Sequence, residues 1–219
     1  ITKQLIQMLN NTDIIAQFIT IAIIHLFAVM SPGPDFVIIA KQSIQYGRKI
    51  SIYTALGIGT GILIHISYCL IGIGFIATKS IPTLEIIKIL GALYLIYIGV
   101  STIKEKNELK INTNQKTNDI SFWSSFSLGF FTNVLNPKAT LFFLSLYSII
   151  IKTDTTFFIQ IAYGLWMAII TSLWFCFLSI ILTNHTVLKT FHKFSDRISF
   201  VLGTILIIFG IRLLFYNII

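Results

Sequence analysis

The sequence predicts an all-α integral membrane protein of six transmembrane helices, arranged as two inverted three-helix repeats with proline-broken first and fourth helices. Three observations lead there. Of the 219 residues 55% are hydrophobic and only 11% are charged, whereas a soluble domain carries about 25% charged residues. The apolar residues gather into six runs, each long enough for a span of ~20 residues. The first and fourth runs are interrupted by proline at corresponding places in the two halves.

The runs follow in order. The first is Ile14 to Ala40, interrupted by Ser31-Pro32-Gly33-Pro34-Asp35, and the polar basic segment Lys41 to Lys49 closes it. The second spans about Ile50 to Ala77, ending at a short break with Lys79, Ser80 and Pro82. The third is about Leu84 to Ile103, followed by the longest polar stretch, Lys104 to Ile120. The fourth runs from Ser121 to Ile151 and is interrupted at Asn136-Pro137-Lys138. The fifth is about Phe157 to Leu182; Asn184 to Arg197 is polar; the sixth is about Ile198 to Phe215. None alternates with the period of two that a barrel strand requires, and all are too long for one.

Composition excludes a soluble globular enzyme, whose surface needs more charge, and a disordered chain, which needs low hydrophobicity. The net charge of +8 would suggest nucleic acid in a soluble protein. Here the charges are spread through short loops and read as orientation signals and contacts to the lipid bilayer, with no nucleic-acid partner. Lys41, Arg48 and Lys49, then Lys104, Lys106, Lys110 and Lys116, then Lys189, Lys193 and Arg197 follow runs one, three and five, ten cations against five on the other side. That asymmetry puts those three loops in the cytoplasm and both termini outside. A cleaved signal peptide is not expected, because Ile1 to Asp13 is polar-mixed and the first apolar run leads into Pro-Gly-Pro. Cys69 and Cys176 lie inside apolar runs. Their setting suggests neither zinc nor a disulfide framework, and they read as small apolar residues.

The halves resemble each other. FAVMSPGPDFVIIA at 27–40 aligns with FFTNVLNPKATLFF at 130–143, setting Pro34-Asp35 on Pro137-Lys138. Gly57 and Cys69 fall on Gly164 and Cys176, and Gly91-Ala92-Leu93 on Gly203-Thr204-Ile205. A repeat of three helices must invert its copy across the membrane, and interrupted helices at matching places point to a transporter site. The whole chain, 1–219, then reads as one transmembrane transporter domain, with repeat one at about 14–103, a cytoplasmic linker at 104–120 and repeat two at about 121–216.

Pro32, Pro34 and Pro137 each remove a backbone donor and clash with the preceding turn. At membrane depth the freed carbonyls require protein or water partners. The restarting helices aim free N–H groups and a partial positive charge into the resulting cavity, a setting that suits a carboxylate. Asp35 has two readings: an acid that favours the dipole of a restarting helix, with Ser31 as a cap, or a substrate ligand. Lys138 opposes that dipole and sits at a depth where charge costs about 2.5–3.5 kcal/mol, so it reads as functional or as an ion-pair partner of Asp35. Asn136 is a helix cap or ligand, and Asn133 a helix–helix hydrogen bond or ligand. His25 and His65 suit proton coupling or a neutral imidazole bonded across a helix pair. Gly57, Gly61, Gly72 and Gly74 permit close helix approach.

The sequence resembles the LysE/RhtB family of amino-acid exporters. The resemblance rests on SPGPDFVII at 31–39, LGIGTGILIH at 56–65, IKILGALYLIYIG at 87–99 and FTNVLNPKATLFFL at 131–144. These stand in the family's order and spacing and span most of the chain. The resemblance implies a protein of the bacterial cytoplasmic (inner) membrane, not an enzyme, that exports amino acids or close analogues, against protons and without a cofactor or metal. A homodimer is compatible with it. In the expected mechanism a zwitterion enters between the two broken helices. Asp35 meets its ammonium, while Lys138, Asn136 and the restarting N–H groups meet its carboxylate, with Ser31, Gly33 and Asn133 completing the site. Two rivals remain. A membrane thiol–disulfide electron carrier would need cysteines beside the breaks, and a metal-ion transporter would need clustered carboxylates or histidines.

Overall fold

The computed structural model describes residues 2–76, 81–104, 120–150 and 155–215. Among them are seven α-helices and no strand: α1 Thr2–Met30, α2 Pro34–Ile76, α3 Ile81–Lys104, α4 Phe122–Val134, α5 Pro137–Ile150, α6 Phe157–Leu182 and α7 His185–Leu214. The expected linker at 104–120 lies outside the described residues from 105 to 119, as do Lys79 and Ser80.

Helix ends follow local chemistry. The Ser121 hydroxyl accepts from the Ser124 N–H at 3.2 Å and so caps α4. Asn136 does the same for α5, its Oδ1 accepting from the Lys138 N–H at 3.0 Å. Proline opens both α2 and α5, where its missing N–H would have had no helical partner. The helix α6 has 26 residues and is therefore about 39 Å long.

Two polar segments depart from the loop reading. Lys41 to Lys49 lies within α2, whose two helical pieces join at Gly47 with φ 78° and ψ 179°. An αL-like φ is open to glycine without a Cβ clash, so a single residue makes the bend and the flanking cations stay on helix. Ser43 and Ser51, on either side of that bend, are buried and bonded at 2.8 Å, and Ser51 meets Ser179 of α6 at 2.7 Å. Similarly, α7 runs unbroken from His185 through the polar stretch to Leu214. A polar stretch that belongs to a helix has the same composition as a loop, which is why hydropathy alone does not separate them.

Packing falls into two apolar clusters. One gathers Ile21, Ile62, Leu95, Phe143, Met167 and Leu206 from six helices. The other gathers Phe36, Ile39, Ala55, Phe175 and Leu182 from α2 and α6. Small residues set the helix distances. A methyl on Gly99 of α3 would stand 2.5 Å from the Gly203 carbonyl of α7 and 2.6 Å from Ile207. A methyl on Gly203 would in turn meet the Gly99 carbonyl and Ile103. The contact is reciprocal, each glycine facing the other and each isoleucine four residues on. The close approach of α3 and α7 is thus set at Gly99 and Gly203.

The outer faces are apolar: Ile71, Leu90, Leu135, Ile169 and Phe200 are exposed. Contiguous exposure of that kind marks a surface built for a partner or lipid. By length and composition α2 over Pro34–Gly72 and α6 qualify as membrane spans, while Ile14–Met30 and Ile89–Lys104 are shorter apolar segments. The interruption at Leu135-Asn136 leaves α4 and α5 with 13 and 14 residues, each too short to cross alone.

Candidate functional site

Four helix ends converge. The carbonyl ends of α1 and α4 meet the N–H ends of α2 and α5, so two partial negative poles and two partial positive poles face one region. A cavity of about 50 Å³ lies there, lined among others by His25, Ser31, Gly33, Asp35, Asn133, Asn136, Lys138 and Thr171. At roughly 10–15 Å³ per water-sized probe it has room for about three to five waters. Its apolar walls, Phe36, Ile62, Phe142, Phe143 and Phe175, come from both core clusters.

Asp35 stands in the first turn of α2, where a carboxylate favours the dipole. Its Oδ2 accepts from Asn133 Nδ2 at 2.9 Å and from Asn136 Nδ2 at 3.3 Å. Those two bonds tie the second interruption to the first. Its Oδ1 is buried and takes no hydrogen bond. Ser31 does not cap α2. Its hydroxyl pairs with Thr102 of α3 at 2.8 Å and accepts from Lys138.

Lys138 resolves the apparent conflict with its own helix. Its ammonium reaches back across the cavity, donating to Ser31 Oγ and to the Pro32 carbonyl, both at 2.8 Å. The cation therefore serves the carbonyl end of α1, the pole that a positive charge stabilises. Gly33 gives it passage: a methyl there would lie 3.3 Å from the ammonium nitrogen and 3.5 Å from Cδ.

His25 is fully buried on α1. Its Nε2 lies 3.1 Å from the Thr171 hydroxyl of α6, and its Nδ1 has no partner. His65 is not among the cavity-lining residues. Its Nε2 lies 3.0 Å from the Asn133 carbonyl, which can only accept, so this nitrogen carries the proton. Its Nδ1 meets the Tyr68 hydroxyl at 2.7 Å, and its ring stacks on Phe143 at 5.5 Å. His65 thus supports the segment that carries Asn133 and stands one layer behind the cavity.

A second cavity, about 510 Å³, adjoins the first through shared Ile98, Asn136 and Lys138 and extends past Tyr94, Tyr97 and Ser101 to Lys104. Tyr94 donates to the Pro137 carbonyl at 3.3 Å across its wall. Neither cysteine lines either cavity, and the two pack in different clusters. Among the described residues no three of His, Cys, Asp and Glu come together as a metal site would require.

Sequence reading missed Thr171 and Thr102. Thr171 was discernible as a hydroxyl in the middle of the most apolar run. Thr102 gave no signal, because its partner Ser31 becomes its neighbour only through the packing of α3.

The family model described as LysE type translocator matches residues 26–217. An uncharacterized membrane protein of Bacillus subtilis strain 168 is 30% identical over 192 residues, 84% of this chain and 91% of that protein. The threonine efflux protein of Escherichia coli K12 is 28% identical over 203 residues, 90% of this chain and 97% of that protein. The homoserine/homoserine lactone efflux protein of Salmonella typhimurium is 30% identical over 118 residues, 54% of this chain and 56% of that protein. No solved structure matches the chain significantly.

Proposed function

The chain belongs to the LysE type translocator family, and from that premise we propose that it is a secondary transporter exporting amino acids or close analogues from the cytoplasm. The observation that carries this reading is the chemistry of one cavity. A carboxylate, an ammonium, two amides and a histidine line about 50 Å³ between two helix interruptions. Three buried polar atoms there, Asp35 Oδ1, Asn133 Oδ1 and His25 Nδ1, take no partner from the protein. Such atoms are costly to bury unless something else bonds to them, and two are acceptors that suit an ammonium group. The relatives named for threonine and homoserine efflux agree with a zwitterionic cargo.

In this reading the ammonium meets Asp35 and Asn133. The carboxylate competes with Pro32 O and Ser31 Oγ for Lys138 and approaches the amide N–H groups that open α2 and α5. The chain has six spans in two inverted repeats. The first span is broken between α1 and α2, the fourth between α4 and α5, and the reciprocal Gly99–Gly203 contact supports a pseudo-two-fold axis between α3 and α7. The loops rich in Lys and Arg are cytoplasmic and both ends are outside, in the inner membrane of a bacterium. The larger cavity that extends to Lys104 is then the cytoplasmic vestibule. Protons moving inward drive export, with His25 and His65 as candidate carriers.

Counterflow in proteoliposomes tests the reading. Purified protein should exchange labelled amino acids from a panel, and an acid-outside gradient should accelerate efflux from loaded vesicles. Failure to exchange any amino acid would overturn the function, and net efflux indifferent to the gradient would overturn proton coupling. A Cys69→Ser/Cys176→Ser double variant should exchange as the parent does; its inactivity would favour the thiol carrier.

A further inference from the structure

We propose that His25, oriented by Thr171, reads the side chain of the exported amino acid and selects one bearing a hydroxyl or similar neutral hydrogen-bonding group. The inference rests on the export reading above and adds to it a substrate class and a specificity-determining residue.

The imidazole is packed among three aromatic rings and one hydroxyl. Its edge faces Trp166 at 5.8 Å, and Phe142 and Phe143 flank it at 6.2 Å each. Thr171 fixes Nε2 at 3.1 Å. What is left is Nδ1, buried, unpartnered and on a residue that lines the cavity. A histidine needed only to join α1 to α6 would not have to border that space.

Position along α1 gives the scale. His25 precedes Ser31 by six residues, which is about 9 Å of helix. The cavity therefore has a charged pole at the interruptions and a neutral polar pole about one amino acid's length away. Ala28, Val29, Ile62 and Phe143 wall the space between with carbon. Asp35 and Lys138 are the carboxylate and the ammonium among the lining residues, and both stand at the interruptions. A cationic side chain would meet no opposite charge beside His25, and an anionic one would meet none at the neutral imidazole, whereas a hydroxyl can donate to Nδ1 or accept from it according to the tautomer. An aliphatic side chain of equal volume would leave Nδ1 unsatisfied, and sites built to bond a hydroxyl reject such analogues strongly.

The test uses two isosteric pairs, threonine with valine and homoserine with norvaline, as competitors in counterflow by the intact protein in proteoliposomes. The hydroxylated member of at least one pair should compete about tenfold better or more. The His25→Leu variant should bring that ratio near one, His25→Gln should restore part of it, and Thr171→Val should narrow it while Thr171→Ser rescues it. A merely structural tie between α1 and α6 would lower the amount or melting temperature of the variants and leave the ratio unmoved, which would overturn the proposal. Equal competition within both pairs by the unsubstituted protein would also overturn it, even if no variant folds. Those results leave export intact, since the amino acids still move; only the absence of all amino-acid exchange fails the export reading itself.

Discussion

Lys138 shows how a residue's helix position can mislead about its environment. Read along the chain it is a cation at the wrong end of a dipole; in space its ammonium sits on the carbonyl end of a different helix. The distinction has consequences for substitution. Lys138→Ala leaves the Pro32 carbonyl and the α1 pole without their cation, so it should lower both stability and transport. Asp35→Asn keeps the size of the side chain and removes the charge. Transport should fall at least tenfold at unchanged membrane abundance; parental transport by Asp35→Asn would remove it from the site. Asn136 separates two roles cleanly. Asn136→Ala loses the cap on α5, about 1 kcal/mol, and one bond to Asp35, so the melting temperature in detergent should drop by about 2–4 °C. Asn136→Asp keeps a capping oxygen yet sets a second carboxylate against Asp35, so transport should fall much further than stability. Equal effects of the two substitutions on transport would contradict the bridge to Asp35. The candidates Asp35, Asn133, Asn136 and Lys138 were legible as residues, because amides and charges beside proline in an apolar run are conspicuous. Their partners were not, because bonds such as Asn133 to Asp35 cross 98 positions of sequence.

Elements were legible where apolar length alone decides them. The fifth run and α6 share both bounds, since no charged residue and no proline interrupts that helix. The misreadings fall where helices carry charge. Lys41 to Lys49 and Asn184 to Arg197 look like loops to a hydropathy argument, but Lys, Gln and Arg are good helix formers: the first segment continues α2, and residues 185–197 open α7, which then runs on through the apolar residues. Glycines show the same limit. Gly47, Gly72 and Gly99 look alike in sequence and differ in structure. At Gly99 an added methyl meets the backbone of α7, so Gly99→Ala should cost about 1–3 kcal/mol. At Gly47 the space is open but φ is +78°, so Gly47→Ala should cost about 1–2 kcal/mol through strain alone. At Gly72 there is neither contact nor positive φ, and Gly72→Ala should be neutral or slightly stabilising. Thermal unfolding in one detergent orders the three variants; a Gly99→Ala protein as stable as Gly72→Ala would contradict the close approach of α3 and α7.

At the scale of the whole molecule, the apolar exterior and the polar cavity are two sides of one arrangement. Lipid tolerates interrupted helices only where protein or water covers the freed backbone, and here the four ends cover one another through Asp35, Asn133, Asn136, Ser31 and Lys138. Composition made the membrane class evident, and membership of a translocator family agrees with it. The likeness of the two halves is faint in the sequence, because the two interruptions share proline and little else. The central claim is that exported amino acids occupy the cavity between the interruptions. Its most direct test is substrate protection in a Cys69→Ser/Cys176→Ser background, with cysteine introduced as Ala139→Cys, which lines the cavity, and as Leu135→Cys, which is 75% exposed on the outer face. The account predicts that an amino acid active in counterflow slows alkylation at Ala139→Cys severalfold and leaves Leu135→Cys unchanged. Equal alkylation rates with and without substrate at Ala139→Cys would contradict it.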